Sequence, residues 1–336
     1  PVITTIAKTI TSENINEVYP TYYPPRKTPK ECYEQIIADL TDAEQYAPDN
    51  DNSDRTKMTK TVAQAMLAKV YAEKEVQDYD KVIAYADKVM NTTGVELEDS
   101  YETLWGYDET AKDCMKRNTK EGILEVHWTT GSGNWETWMY GRQLDNWDYN
   151  FTWAKWITPS RDIINDFDKE GDEVRKNQAI VYYACTWSNY YPASNYPFMY
   201  KLRSSYNNIY WVRLADIILM KAEAEAYKGN LAESAKLVNQ IRKRAKLKEL
   251  TSDKTGSKES MIEAVLHERR LELAFEGERW FDLCRNNKVE QYLNGIDNRD
   301  SGRIRQVRQF DGNSYLLPIP QTALDQNTNL EQNPGY

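Results

Sequence analysis

Two groups of side chains in this 336-residue chain invite a chemical reading. The first is aromatic. Trp135, Trp138, Tyr140, Trp147, Tyr149, Trp153 and Trp156 are interleaved with Asn134, Glu136, Arg142, Gln143, Asp145, Asn146 and Asp148. A second cluster follows, with Trp187, Asn189, Tyr190, Tyr191, Asn195, Tyr196 and Tyr200. Flat rings can stack on the C–H faces of sugars, while amides, carboxylates and guanidinium groups meet the hydroxyls. The same rings could instead pack onto a scaffold as satellite cores, and that use fits any single tryptophan. The cluster as a whole favours a binding surface. Its candidate ligand-binding residues are Trp135, Trp138, Tyr140, Arg142, Trp147, Tyr149, Trp153, Trp187, Tyr190 and Tyr191.

The second group is charged. The stretch Met261–Arg285 is dense in Glu and Arg and reads as one helix. Arg269/Glu272, Glu276/Arg279 and Asp282/Arg285 lie three apart and would meet along it. Ile262, Leu266, Leu273, Trp280 and Phe281 form an apolar stripe that these charges interrupt, and charges beside a buried stripe must be paired. Glu268, Arg269, Glu272, Glu276, Arg279, Trp280 and Asp282 therefore read as a structural ion-pair network, not as catalytic groups.

Other chemistries find no motif. The chain has two histidines, and His267-Glu268 begins like HExxH, but Leu271 occupies the second histidine position. Asp49–Asp54 is rich in oxygen ligands yet lacks the glycine and the late glutamate of an EF-hand, so it reads as a solvated turn. Gly131-Ser132-Gly133 lacks the third glycine of a dinucleotide turn, and no GxSxG elbow occurs. The reading is of no catalytic residue, no metal and no cofactor. With 43 basic and 52 acidic side chains the formal charge is -9, which argues against nucleic acid. The basic run Arg242–Lys248 reads as a complement to a helix dipole. No stretch approaches the ~20 apolar residues of a membrane-spanning helix. Cys32, Cys114, Cys185 and Cys284 are scattered and read as isolated thiols, with all three pairings open.

The elements that would carry these groups are mostly helices. Thr28-Pro29-Lys30-Glu31 is a helix start with N-cap, Pro at N1 and Glu at N3; the helix runs to about Tyr46. Helical periodicity over 61–74 and 79–90 predicts one hairpin, and over 210–228 and 231–244, around Gly229-Asn230, a second. Small residues such as Ala222, Ala224 and Ala226 give these hairpins a tetratricopeptide-like character, although the first lacks the usual turn glycine. Gly122–Trp128 alternates like a strand. The rest of 96–200 reads as long loops on a rigid scaffold, where binding usually resides. Residues 297–311 read as a surface loop.

The helix Ile262–Leu283 is followed by Leu316-Leu317-Pro318-Ile319-Pro320-Gln321, Asn329-Leu330 and Gln332-Asn333-Pro334-Gly335-Tyr336. In that order and spacing these segments closely resemble the C-terminal signature of the SusD/RagB family. The resemblance implies a mainly α fold of tetratricopeptide-like hairpins with a loop-rich, aromatic-rich insertion. It implies one SusD-like domain over 1–336, with a hairpin at 28–90, aromatic loops at 96–200, a second hairpin and charged helix at 210–285, and a tail at 286–336. Pro1-Val2-Ile3-Thr4 resembles a point inside the family's chain, so the family's N-terminal third and its lipidated cysteine are expected to be missing. The implied function is non-catalytic capture of glycans at the outer-membrane surface of a Bacteroidetes-type bacterium, for a SusC-like TonB-dependent transporter. Peptide capture within the family is the alternative. A glycoside hydrolase is the rival from another class, and it would need two carboxyl groups ~5–9.5 Å apart across a cleft.

Overall fold

In a computed structural model of the chain, the described residues are 2–4, 6–108, 110, 113–114, 116–128, 158–185, 188–201, 203, 208–300 and 308–336. Helix α1 (Pro29–Tyr46) starts at a capping box: the Thr28 hydroxyl accepts from the Glu31 amide at 3.2 Å, and the Thr28 amide donates to the Glu31 carboxylate at 2.9 Å. The chain leaves it in extended conformation at Ala47, as a following proline demands. Helices α2 (Lys60–Ala72) and α3 (Tyr79–Met90) form the first hairpin, each with a side-chain N-cap, Thr59 and Asp78. The turn glycine that the sequence lacks is replaced by Gln77, which takes the left-handed conformation at φ 45°.

Helix α4 (Tyr101–Trp105) and strand β1 (Gly122–Val126) follow. Helices α5 (Arg161–Glu170) and α6 (Glu173–Ala179) lead into strands β2 (Ile180–Tyr183) and β3 (Tyr196–Met199), which pair antiparallel. Strand β4 (Ile209–Arg213) pairs antiparallel with β1, with Gly122 opposite Arg213 and Val126 opposite Ile209. The helix predicted from 210 therefore begins only at Leu214. Tyr210, Trp211 and Val212 are aromatic and β-branched, types that fit a pleated surface, and β1 supplies their partner.

Helices α7 (Leu214–Lys228) and α8 (Leu231–Arg244) form the second hairpin, turned at Gly229 with φ 85°. Helix α7 is buried on every side from Leu214 to Ala226, which places it at the centre of the molecule. It packs against α3, α8, α2 and α9 (Lys258–Glu272). Its alanines let neighbours approach closely: the Ser234 hydroxyl of α8 donates 2.7 Å to the Ala222 carbonyl. The main apolar cluster gathers Val62, Val89, Ile217, Leu219, Val238, Ile241, Val265 and Leu266 from five helices.

The predicted single helix over Met261–Arg285 is two. Helix α9 stops at Glu272, and α10 (Arg279–Arg285) begins after a reversal in which Phe275 and Gly277 have φ 66° and 89°. The apolar stripe is broken accordingly. Ile262, Leu266 and Leu273 are buried, while Phe281 is 58% exposed.

Candidate functional site

The charged residues of α9 and α10 pair across elements rather than along one helix. Glu272 receives Arg213 at 2.7 Å and Arg175 at 3.2 Å, with Arg244 also on it. Glu276 pairs with Arg213 and Lys201, at 2.7 Å and 2.6 Å. Arg269 spans Asp216 at 2.7 Å and Asp282 at 2.9 Å. Glu268 joins Arg175 and Arg242 at 2.7 Å and 2.9 Å. Of the three pairs expected at i,i+3, only Asp282–Arg285 forms, at 2.8 Å. Arg269 and Glu272 turn to different partners, and the break after Glu272 separates Glu276 from Arg279. Trp280 leaves the lattice altogether and tilts its ring against Phe310, with centroids 6.0 Å apart.

Burial alone would raise the Glu272 carboxyl, but Arg244, Arg213 and Arg175 outweigh it and hold it well below its ordinary value. A carboxylate so held is a poor proton donor. The paired groups lock helices together. Arg242 and Arg244 belong to the same lattice, through Glu268 and Glu121, so the basic run is only partly a dipole complement: Lys243, Lys246 and Lys248 alone stay exposed. The Asp49–Asp54 turn is likewise organised by a cation from the chain. Buried Arg55 donates to Asn50 at 2.5 Å, to Asn52 at 2.9 Å and to the Gly94 carbonyl at 2.7 Å. Among the described residues no three His, Cys, Asp or Glu side chains converge as a metal site would require. Cys32, Cys185 and Cys284 are free thiols.

Of the aromatic candidates, Trp135, Trp138, Tyr140, Arg142, Trp147, Tyr149, Trp153 and Trp187 lie outside the described residues. Tyr190 and Tyr191 lie within them and come together. Their rings meet edge to face, with centroids 5.0 Å apart, and Tyr191 meets Tyr196 the same way at 5.5 Å. Arg161, the first residue of α5, places its guanidinium carbon 4.5 Å from the Tyr190 centroid and 4.1 Å from that of Tyr191. Asp300 anchors the group. It accepts from Arg161 at 3.0 Å and from the Tyr190 hydroxyl at 2.8 Å. The Tyr191 hydroxyl donates to the Pro159 carbonyl at 2.7 Å.

Burial would raise the Asp300 carboxyl, yet the hydrogen bonds from Tyr190 and Arg161 keep it below its ordinary value. Burial pushes the Tyr191 hydroxyl well above its usual value, so it stays protonated. The result is two half-buried rings in fixed orientation beside an open cavity of about 770 Å³, with Ser188 and Asn189 at its rim. Such a surface can stack a flat apolar face and offer hydrogen bonds around it. Asp300 was missed by the sequence, which read 297–311 as a solvent loop. It is fully buried, and its partner Arg161 stands 139 residues away, so no local pattern could signal it.

The profile of the SusD family matches residues 48–336, and a second, described as starch-binding associating with outer membrane, matches residues 3–72. The chain is 28% identical over 351 aligned residues to SusD-like protein P2 of Formosa agariphila, covering 92% of this chain and 66% of that protein. Among solved structures it is similar to a SusD-like protein of Bacteroides fragilis, at 22% identity and a TM-score of 0.73, covering 99% of this chain and 75% of that one. It is also similar to a SusD superfamily protein of Bacteroides vulgatus at 23% identity and a TM-score of 0.71, covering 92% and 69%. A laminarin-binding SusD-like protein matches at 25% identity and a TM-score of 0.66, covering 92% and 70%.

Proposed function

The chain belongs to the SusD family, and from that premise we propose that it captures glycans without chemically altering them, at the outer-membrane surface, for a SusC-like TonB-dependent transporter. The observation that carries the reading is the Tyr190–Tyr191 pair, held by Arg161 and Asp300 at the edge of an open cavity. The laminarin-binding neighbour supports the ligand class. The absence of catalysis is supported by Asp300: among the described residues it is the one carboxylate of the cluster, and both its partners keep it ionised. A retaining or inverting hydrolase needs a second carboxyl group across the cleft and one of the two protonated.

Trp135, Trp138, Tyr140, Arg142, Trp147, Tyr149, Trp153 and Trp187 are proposed as further contacts. The test is a set of single alanine substitutions at Tyr190, Tyr191, Trp135, Trp138, Trp147 and Trp153, scored for melting and for binding to a glycan array that includes laminarin. At least one variant should melt like the parent and bind several-fold more weakly. If every variant either unfolds or binds normally, the aromatics are packing and the reading fails.

A further inference from the structure

A second cavity, of about 300 Å³, lies between the start of α5, the reversal after α9 and the segment 292–296. Its size is at the lower end of pockets that hold small molecules. Its walls are mostly apolar, with Ile163, Met199, Leu273, Phe275, Leu293 and Ile296 among them. Arg279 lines it too, and this arginine differs from its neighbours. Arg269, Arg270 and Arg285 each bind two carboxylates. Arg279 has no carboxylate within 4.0 Å among the described residues. Among the described residues it donates to the Leu266 carbonyl at 3.1 Å and lies over Tyr292, its guanidinium carbon 4.6 Å from the ring centroid, with the Tyr292 hydroxyl as a second hydrogen-bond partner. The acidic residues nearest in sequence point elsewhere: Glu276 to Lys201 and Arg213, Glu278 to Lys69. Buried Arg55 also lacks a carboxylate partner, but three oxygens receive its donors.

A guanidinium carries five N–H donors in a flat fork, and one that leaves water without an anion costs several kcal/mol. Burial, with Arg270 nearby, pushes Arg279 down to about 10, against the pull of Asp282. Half-buried Arg279 lines this cavity, and the Leu266 and Tyr292 oxygens do not take up all five of its donors; Asp162, the carboxylate in the lining, is already held by Arg270 and Arg299. The group that fits is a planar oxyanion on a compact apolar body.

We propose that this cavity is a binding site for small carboxylates with an apolar body, with Arg279 as the carboxylate's partner. It shares no lining residue with the cavity beside the tyrosine pair and does not depend on the glycan reading. The probe is benzoate, titrated calorimetrically into the whole chain, with isosteric neutral benzamide as control. Benzoate should bind at least tenfold more tightly than benzamide, and Arg279→Gln should remove that preference. Because Arg279→Gln could impair folding, Ile296→Trp, which fills the cavity and leaves every ion pair in place, provides an independent arm. It should melt near the parent and lose benzoate. Equal affinity for both probes overturns the proposal, as does no benzoate saturation below about 10 mM. So does a folded Arg279→Gln or Ile296→Trp variant that binds benzoate like the parent.

Discussion

At the scale of single residues, the same side-chain types serve opposite ends depending on what surrounds them. Arg161 lies between two tyrosine rings and a carboxylate, where its flat shape matters as much as its charge. Arg161→Lys keeps the charge but loses both stacking and the fork, so Tyr190 and Tyr191 should lose their fixed orientation. Glycan affinity should fall several-fold with little change in melting temperature; an unaltered affinity would separate the tyrosines from the ligand. Tyr191→Phe removes only the bond to the Pro159 carbonyl and should cost about 0.5–1.5 kcal/mol of stability. Arg269 and Glu276 are the contrast. Arg269 is fully buried and the Glu276 side chain is 8% exposed, and deleting one partner strands the others. Arg269→Ala and Glu276→Ala should each cost roughly 3–5 kcal/mol in denaturant unfolding. Glycan affinity per folded molecule should stay the same.

At the scale of elements, the helices with strong local signals were legible and the breaks were not. The Thr28 cap, the two hairpins and the Gly229 turn follow from capping chemistry and 3.6-residue periodicity, which are local facts. Strand β4 was read as the first turn of α7 because its alternation is only five residues long, and its partner β1 lies far away in sequence. The break between α9 and α10 is hidden because Leu273, Ala274, Phe275, Glu276 and Glu278 all fit a helix, which leaves Gly277 as the one local signal. What bends the chain there is the set of distant partners that draws Glu272 and Glu276 inward while Arg269 reaches Asp216. The site was half legible for the same reason: Tyr190 and Tyr191 announce themselves by type, whereas Arg161 and Asp300 meet only in three dimensions. Gly277 itself gives a clean test. It has φ 89°, and an added Cβ would meet no heavy atom within 4 Å, so Gly277→Ala feels conformational strain alone. A loss of about 1–3 kcal/mol is expected. A neutral result would mean that the reversal does not need the left-handed conformation.

At the scale of the whole molecule, the buried charges make stability a function of pH, and they do so with two signs. Glu272 and Asp216 titrate well below their ordinary values of 4.5 and 3.8 because surrounding guanidinium groups and Lys69 outweigh their burial. Their folded-state values lie below the unfolded ones, so folding favours the ionised form. That contribution is complete above about pH 4.5 and is lost as the pH falls through the folded-state values. Glu73 runs the other way. Burial raises it, with Glu223 and Asp282 adding to the effect against the pull of Arg285 and Lys69. A raised carboxyl is less stable folded than unfolded once both are ionised, so Glu73 works against folding at neutral pH and stops doing so as it is protonated. Melting curves between pH 3 and pH 8 for the parent, Glu272→Gln and Glu73→Gln distinguish the two. Glu272→Gln should melt lower at pH 7, with a shallower decline toward acid, because the group that titrated is gone. Glu73→Gln should melt higher at pH 7 and converge on the parent as the pH drops. If both variants merely shift the whole profile in parallel, packing rather than charge is what these side chains contribute, and the lattice has been assigned the wrong physics.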